Sequence, residues 1–315
     1  MHDYQETMKK TFHFRRAFLH PRYFMLWLGI GLLYLLVQMP YRWICALGSL
    51  LGLCAMRLMA RRASIARQNL TLCFPEKSPE QIAQIVRENF KSLGIALFEL
   101  GIAWFWSDRR IRRWFEVSGL THMQAARQKG KGVLVVGVHF MSLDLGGRVM
   151  GLCNPMMAVY RPHNNPVLEY LQTRGRSRGN KQMLDRKNLK GIVGALKSGE
   201  AVWFAPDQDY GPRGSSFAPF FAVSSAATTN GTATLARLSN AVMLTTVLIR
   251  KPGAQGYQLI IEPELDGYPA HDMVQAATFM NRIVEREILR APEQYLWLHR
   301  RFKTRPAGMP SLYTR

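Results

Sequence analysis

The stretch "GVLVVGVHFMSLDLGG", residues 132–147, decides how this chain is read. An apolar run of strand length delivers a histidine, His139, and an aspartate, Asp144, follows five positions later. The run is too short for a core helix and is rich in β-branched residues, so residues 132–138 are predicted to form a buried strand. "FMSL" then turns the chain, and Asp144 opens a segment in which Gly146 and Gly147 allow close packing.

Downstream, "MMAVY" (156–160), "AVWFAP" (201–206), "AVMLTTVLI" (241–249) and "YQLIIEP" (257–263) read as further strands. "LKGIVGALKSG" (189–199) and "TNGTATLARLS" (229–239) read as helices between them. Strands alternating with helices predict an α/β fold, a mixed and mainly parallel sheet flanked by helices. In such sheets chemistry collects at the carboxyl ends of strands, where His139 falls.

The His-x4-Asp spacing is weak evidence by itself, since a chain of this composition gives about half a match by chance. Its setting adds weight. A carboxylate at one imidazole nitrogen fixes the tautomer and leaves the other nitrogen free to take a proton. An imidazole, ordinarily titrating near 6.5, suits general-base work on an alcohol. His139 and Asp144 are therefore the candidate catalytic pair, against the alternative of a structural histidine.

Arg161, in "VYRPHNNP", sits where a strand ends and can reach the same loop face. From Arg161 to Lys190 there are eight Lys or Arg residues and two acids, Glu169 and Asp185. Such a run is either a solvated face or a set of guanidinium forks for phosphate and carboxylate. In "FAPDQDYGPRGSSFAPFF" (204–221), Gly, Pro and aromatic residues suit a loop over an apolar tunnel, with Asp207 or Asp209 orienting basic partners; a plain turn fits the composition equally. "YLWLHRRFKTR" (295–305) mixes aromatics and cations as membrane-surface segments do, and as RNA-binding segments do.

The N-terminus points to a lipid boundary. Tyr23–Met39 is a 17-residue run without charge, about 25 Å long as a helix, slightly short of the roughly 30 Å hydrocarbon core. Interfacial aromatics flank it, Pro40 ends it, and a second apolar run follows from Trp43 to Ala60, interrupted by Arg57. Basic residues lie on both sides, Lys9, Lys10, Arg15, Arg16 and Arg22 before it and Arg42, Arg57, Arg61, Arg62 and Arg67 after it, so charge asymmetry does not choose between a single span and a re-entrant or surface-lying hairpin. The expected organisation is a basic, membrane-anchoring segment over residues 1–62 and a catalytic α/β domain over 63–315. Next, "KSPEQIAQIVRENF…" carries Ser78, Pro79 and Gln81 as a helix start, and the apolar stripe beyond it is either core or a face toward lipid.

The 315 residues carry 42 Lys+Arg against 21 Asp+Glu, a net charge of +21 that attracts polyanions. The four cysteines have no metal or redox spacing and read as reduced. No metal site is legible, and no G-x-S-x-G elbow suggests a serine nucleophile.

Taken together, "HFMSLDLGG", "YRPHNNP", "MLDRKNLKG", "WFAPDQDYGP" and "APEQYLWLHRRFKTRP", with the N-terminal "LHPRYFMLWLGIGLLYLLVQMPY", resemble the late acyltransferases of lipid A biosynthesis, over almost the whole chain from about His20. These sit in the wider glycerolipid acyltransferase superfamily marked by His-x4-Asp/Glu. The resemblance implies an enzyme at the cytoplasmic side of the bacterial inner membrane. It would move a fatty acyl group from acyl carrier protein to a hydroxyl on an acyl chain of Kdo2-lipid IVA. It further implies His139 as base, Asp144 as its partner, and Arg161, Asp185, Arg186 and Asp207 toward substrate. No cofactor is implied, the carrier-protein thioester being a co-substrate, and the partners are acyl carrier protein, Kdo2-lipid IVA and anionic membrane lipid rather than nucleic acid. Many lipid A members carry Glu where Asp144 stands, which shortens the reach here. "GGRVMGLC" and "PMMAVYRPHNN" look closer to the palmitoleoyl-transferring branch than to the lauroyl one. A basic nucleic-acid-binding protein and a lipid hydrolase are the competing classes.

Overall fold

The computed structural model describes residues 14–313; Lys9 and Lys10 of the basic flank lie outside them. Two short 3-10 turns, Arg16–Leu19 and Pro21–Tyr23, lead into helix α1, Phe24–Leu36. The uncharged run is thus helical over 13 residues, about 20 Å, and loosens before Pro40 removes a backbone donor. No single helix among the described residues is long and apolar enough to cross a membrane, and the expected anchor at 23–39 is represented by a shorter apolar helix. Helices α2 (Tyr41–Leu58) and α3 (Ala60–Cys73) would together have the length, but they bend by 96° at their junction.

Helix α4, Pro79–Phe105, starts as the sequence predicts: Ser78 Oγ accepts from the Gln81 N–H while Gln81 Oε1 accepts from the Ser78 N–H. Its apolar stripe is core, because Phe90, Phe98 and Ile102 are at most 1% exposed. Helix α2 crosses it almost backbone to backbone. A Cβ on Gly52 would lie 2.0 Å from the Phe90 carbonyl oxygen, and one on Gly94 would lie 2.0 Å from that of Gly48.

After a one-turn helix α5 (Asp108–Ile111), the chain runs β1 (Phe115–Ser118), α6 (Leu120–Gln128), β2 (Val133–Gly137), α7 (Leu143–Cys153), β3 (Met157–Tyr160), α8 (Pro166–Arg176), β4 (Gln182–Asp185), α9 (Leu189–Lys197) and β5 (Ala201–Phe204). A hairpin β6 (Ser215–Phe220) and β7 (Val223–Thr229) precedes α10 (Gly231–Ser239), β8 (Val242–Arg250), β9 (Tyr257–Glu264) and α11 (Met273–Leu289). Seven strands form one sheet in the order β1-β9-β8-β2-β5-β3-β4, every pairing parallel except β8 with β9. The predicted α/β architecture and every predicted strand are present. β1, β4 and the separate β6–β7 hairpin are additions, each short or polar enough to escape the periodicity.

Central strand β2 is buried along its whole length. Its Val133 and Val135 join a core with α4 and α7, while the alternate Leu134 and Val136 join one with α9 and α10, so the two clusters lie on opposite faces of the sheet. A third cluster caps the sheet's carboxyl end, with Val138, Phe140, the hairpin and the C-terminal strap. That strap is the segment read as a membrane or RNA surface, and the structure corrects the reading. Trp297 and Phe302 are fully buried, and Arg301, 1% exposed, lies over the Phe220 ring and donates to the Ala227 carbonyl. Its aromatics fill core, and its central cation is held by carbonyl and ring faces rather than by solvent.

Candidate active site

Strands β2 and β5 are parallel neighbours with Val136 opposite Phe204. Carrying that register forward three residues sets His139 opposite Asp207. The chain leaves β2 over one face of the sheet through α7 and reaches β8, beyond β2, over the other face through α10. The crevice at the carboxyl ends of β2 and β5 is therefore a topological switch point, where open α/β sheets place their ligands.

There the Asp207 carboxylate grips one residue twice. Oδ1 lies 2.7 Å from His139 Nδ1, and Oδ2 accepts from the His139 backbone N–H at 3.0 Å. Asp207 is 1% exposed. Burial alone would push its carboxyl up, but the charge and hydrogen bonds of His139 hold it below the usual carboxylate range. An ionised carboxylate at Nδ1 makes that nitrogen the donor and leaves Nε2 as the free acceptor. The strap braces the loop from behind: the Met141 N–H donates to the Gln294 carbonyl and the Leu296 N–H to that of His139. Phe140 pairs with Tyr295, whose hydroxyl donates to the Asp207 carbonyl.

The expected His139–Asp144 contact is not formed. Asp144, in the first turn of α7, accepts from Arg176 Nε at 2.7 Å and from Nη2 at 3.2 Å. The reason is geometric: β5 sets a carboxylate beside the imidazole by strand register, while α7 turns Asp144 toward the end of α8. Helix α8 is built to deliver Arg176. Asn165 Oδ1 caps its start, accepting from the Val167 and Leu168 N–H groups, with Pro166 at the first position. Near its end, a Cβ at Gly175 would lie 2.1 Å from Trp104, so only glycine lets the helix seat against α4. Burial works against the Arg176 charge, but the charge and hydrogen bonds of Asp144, with Glu169 behind them, raise its pKa above the ordinary value.

His139, Asp144 and Arg176 face one cavity of about 760 Å³. Arg161, Arg186 and Lys187 stand at its exposed rim, and its depths are lined by Met150, Met156, Ile192, Leu235 and Leu259. The lining is thus basic at the mouth and apolar inside. Arg161 has no ion pair among the described residues, which leaves its fork open to an anion. Asp185 is not in the lining; its Oδ1 accepts the Lys187 N–H and shapes the turn that presents Arg186 and Lys187. Asp207 also lies behind the lining, so its place is to hold His139 rather than to meet substrate. Asp209 is taken up by the Thr304 N–H and hydroxyl, tying the C-terminus to this loop. Sequence reasoning did not single out Arg176, which stood among the cations of the 161–190 run without a distinguishing spacing.

Comparison with known proteins adds an independent line. Residues 11–304 match the family of bacterial lipid A biosynthesis acyltransferases. The chain is 62% identical over 300 residues to the lipid A biosynthesis palmitoleoyltransferase of Escherichia coli (strain K12), covering 95% of this chain and 98% of that one. It is 54% identical, over the same shares, to the lauroyltransferase of that organism. A lipid A biosynthesis acyltransferase of Haemophilus influenzae (strain ATCC 51907 / DSM 11121 / KW20 / Rd) is 42% identical over 97% of this chain and 99% of its own. This chain belongs to the bacterial lipid A biosynthesis acyltransferase family.

Proposed function

We propose that this enzyme transfers a palmitoleoyl group from acyl carrier protein to the hydroxyl of an acyl chain on Kdo2-lipid IVA. The observation that carries the chemistry is the His139 imidazole, held through Nδ1 by buried Asp207, with its other nitrogen toward the cavity. Nε2 takes the proton of the acceptor hydroxyl as the oxygen attacks the thioester carbonyl. The tetrahedral intermediate then collapses, the carbon–sulfur bond breaks, and the proton passes from His139 to the departing thiolate. Asp207 keeps the tautomer and stabilises the imidazolium that forms between the two transfers.

The oxyanion needs donors. The N–H groups of His139, Phe140, Met141 and Leu143 already have partners within the protein, which argues against the loop amides nearest the histidine. Arg176, held charged by Asp144 in the cavity wall, is the cation placed to serve there. Arg161, Arg186 and Lys187 meet the anionic groups of the acceptor at the mouth. The 62% identity to the palmitoleoyltransferase favours that chain, and the 54% identity to the lauroyltransferase makes lauroyl the second choice.

The site works at the cytoplasmic face of the inner membrane in this reading. α1 buries none of its residues and exposes Phe24, Met25, Leu28, Leu32 and Leu35, with Arg22 and Arg42 beside its ends. A helix of that kind lies in the headgroup region of an anionic bilayer rather than across it. Mass spectrometry of the lipid formed from Kdo2-lipid IVA and a panel of acyl carrier protein thioesters tests the proposal. Addition of one palmitoleoyl group is expected. Release of free fatty acid with no acylated lipid would make the protein a hydrolase instead.

A further inference from the structure

Helix α7 contains a glycine that packing does not require. Asp144, Gly147 and Met150 recur at three-residue spacing and all line the cavity, so they share the helix face that looks into it. Of the helix's glycines, Gly151 is needed for close approach, since its Cβ would lie 2.8 Å from the Asn180 side chain, and Gly146 would come to 3.3 Å from Leu248 Cβ. A Cβ at Gly147 would meet nothing within 4 Å. Its φ lies outside the left-handed region, so the backbone does not demand glycine either. A glycine inside a helix is a poorer helix former than alanine. What the residue supplies is empty space in the cavity wall, one turn below the Asp144–Arg176 pair.

The apolar lining of the cavity comes from both faces of the sheet. Met150, Leu248 and Leu259 belong to the core on the α7 face of the sheet, whereas Ile192, Leu235 and Phe204 belong to the core on the other face. The reaction brings two hydrocarbon chains to His139, the transferred one and the one bearing the acceptor hydroxyl. Arg186 and Lys187 lie just before α9, whose Leu189 and Ile192 line the cavity on the second face, so an anionic acceptor held at that rim places its own chain along that side. The α7 side of the cavity is left for the transferred chain.

We propose that Gly147 opens the side of the cavity that receives the transferred acyl group, so that the size of residue 147 sets the longest chain accepted. This rests on the acyl-transfer reading above. A leucine side chain brings four carbons into close-packed space, the room of about four methylenes. Gly147→Leu and Gly147→Ala would be assayed against carrier-protein thioesters of graded length, with products resolved by mass spectrometry. Gly147→Leu should lower kcat/KM for the longest wild-type donors by at least about tenfold. Donors about four carbons shorter should keep the wild-type rate, and the KM for the lipid acceptor should not move. Gly147→Ala should shift the profile in the same direction by less, and it carries the test if the leucine variant does not fold. An unchanged length profile, equal loss at every length, or a change confined to acceptor KM would overturn the assignment. Failure of the wild-type protein to acylate any lipid would instead remove the acyl-transfer reading itself.

Discussion

Replacing Asp207 by asparagine separates the tautomer-setting role of this carboxylate from its shape. In the native site one oxygen receives the imidazole Nδ1–H at 2.7 Å and the other receives the His139 backbone N–H at 3.0 Å. Asparagine offers one acceptor oxygen and one amino group. The backbone N–H can only donate, so the amide oxygen turns to it and the amino group faces Nδ1. That nitrogen must then accept, which moves the ring proton to Nε2, the atom required to take the proton of the hydroxyl. Acyl transfer should fall by about 10⁴-fold, the scale of a wrong-tautomer histidine in other His–carboxylate sites, or about 5 kcal/mol of barrier. Stability should fall by about 1.5–3 kcal/mol through loss of charge-assisted hydrogen bonds. The acid side supplies a second readout. The fold depresses the Asp207 carboxyl, so its contribution is fully present above its unfolded pKa, near 3.9. That contribution is lost as pH falls through the lower folded value. The asparagine variant should show a flatter acid limb in Tm against pH. The assay is kcat with defined thioester and lipid acceptor, beside thermal unfolding from pH 2 to 7. A folded Asp207→Asn protein retaining activity within about tenfold of wild type, while His139→Ala is inactive, would refute the reasoning.

Asp144→Ala strips Arg176 of its carboxylate, so each single alanine variant should lose at least about 100-fold in rate and the double variant little more; additive losses in a double-mutant cycle would separate the two residues. Arg161→Ala should raise the acceptor KM while changing stability by less than about 0.5 kcal/mol, because the side chain is exposed and without an ion pair among the described residues. Leu28→Glu with Leu32→Glu, both at exposed positions of α1, should leave Tm unchanged and reduce co-sedimentation with vesicles of anionic lipid; undiminished binding would move the membrane contact elsewhere. Gly52→Ala should destabilise by about 1–3 kcal/mol, measured by chemical denaturation, since its Cβ meets the Phe90 carbonyl with no room to yield.

The strands and the long helices were legible because their signals are local. "GVLVVGV" has one reading once its length is weighed, and Ser78-Pro-x-Gln states a helix start in its own hydrogen-bonding groups. The position of His139 at a strand end followed from the same pattern, and the family resemblance from motifs spread along the chain. A local signal also misled. The aromatic and basic "YLWLHRRFKTR" reads as surface, yet Trp297, Arg301 and Phe302 are buried, because the hairpin and α3 close over them.

What the sequence by itself determined is therefore which residues could carry the chemistry: a strand-borne histidine, nearby acids, and a run of cations with more members than roles. Only the tertiary structure decided their pairing. Asp144 is five residues from His139, but helix α7 turns it to Arg176, 32 residues further along the chain. Asp207 is 68 residues from His139, and the register of β2 against β5 places it at Nδ1. Sequence spacing reports which groups can meet along one segment. Contacts between segments are set by strand register and helix packing, and this site is assembled from contacts of that second kind.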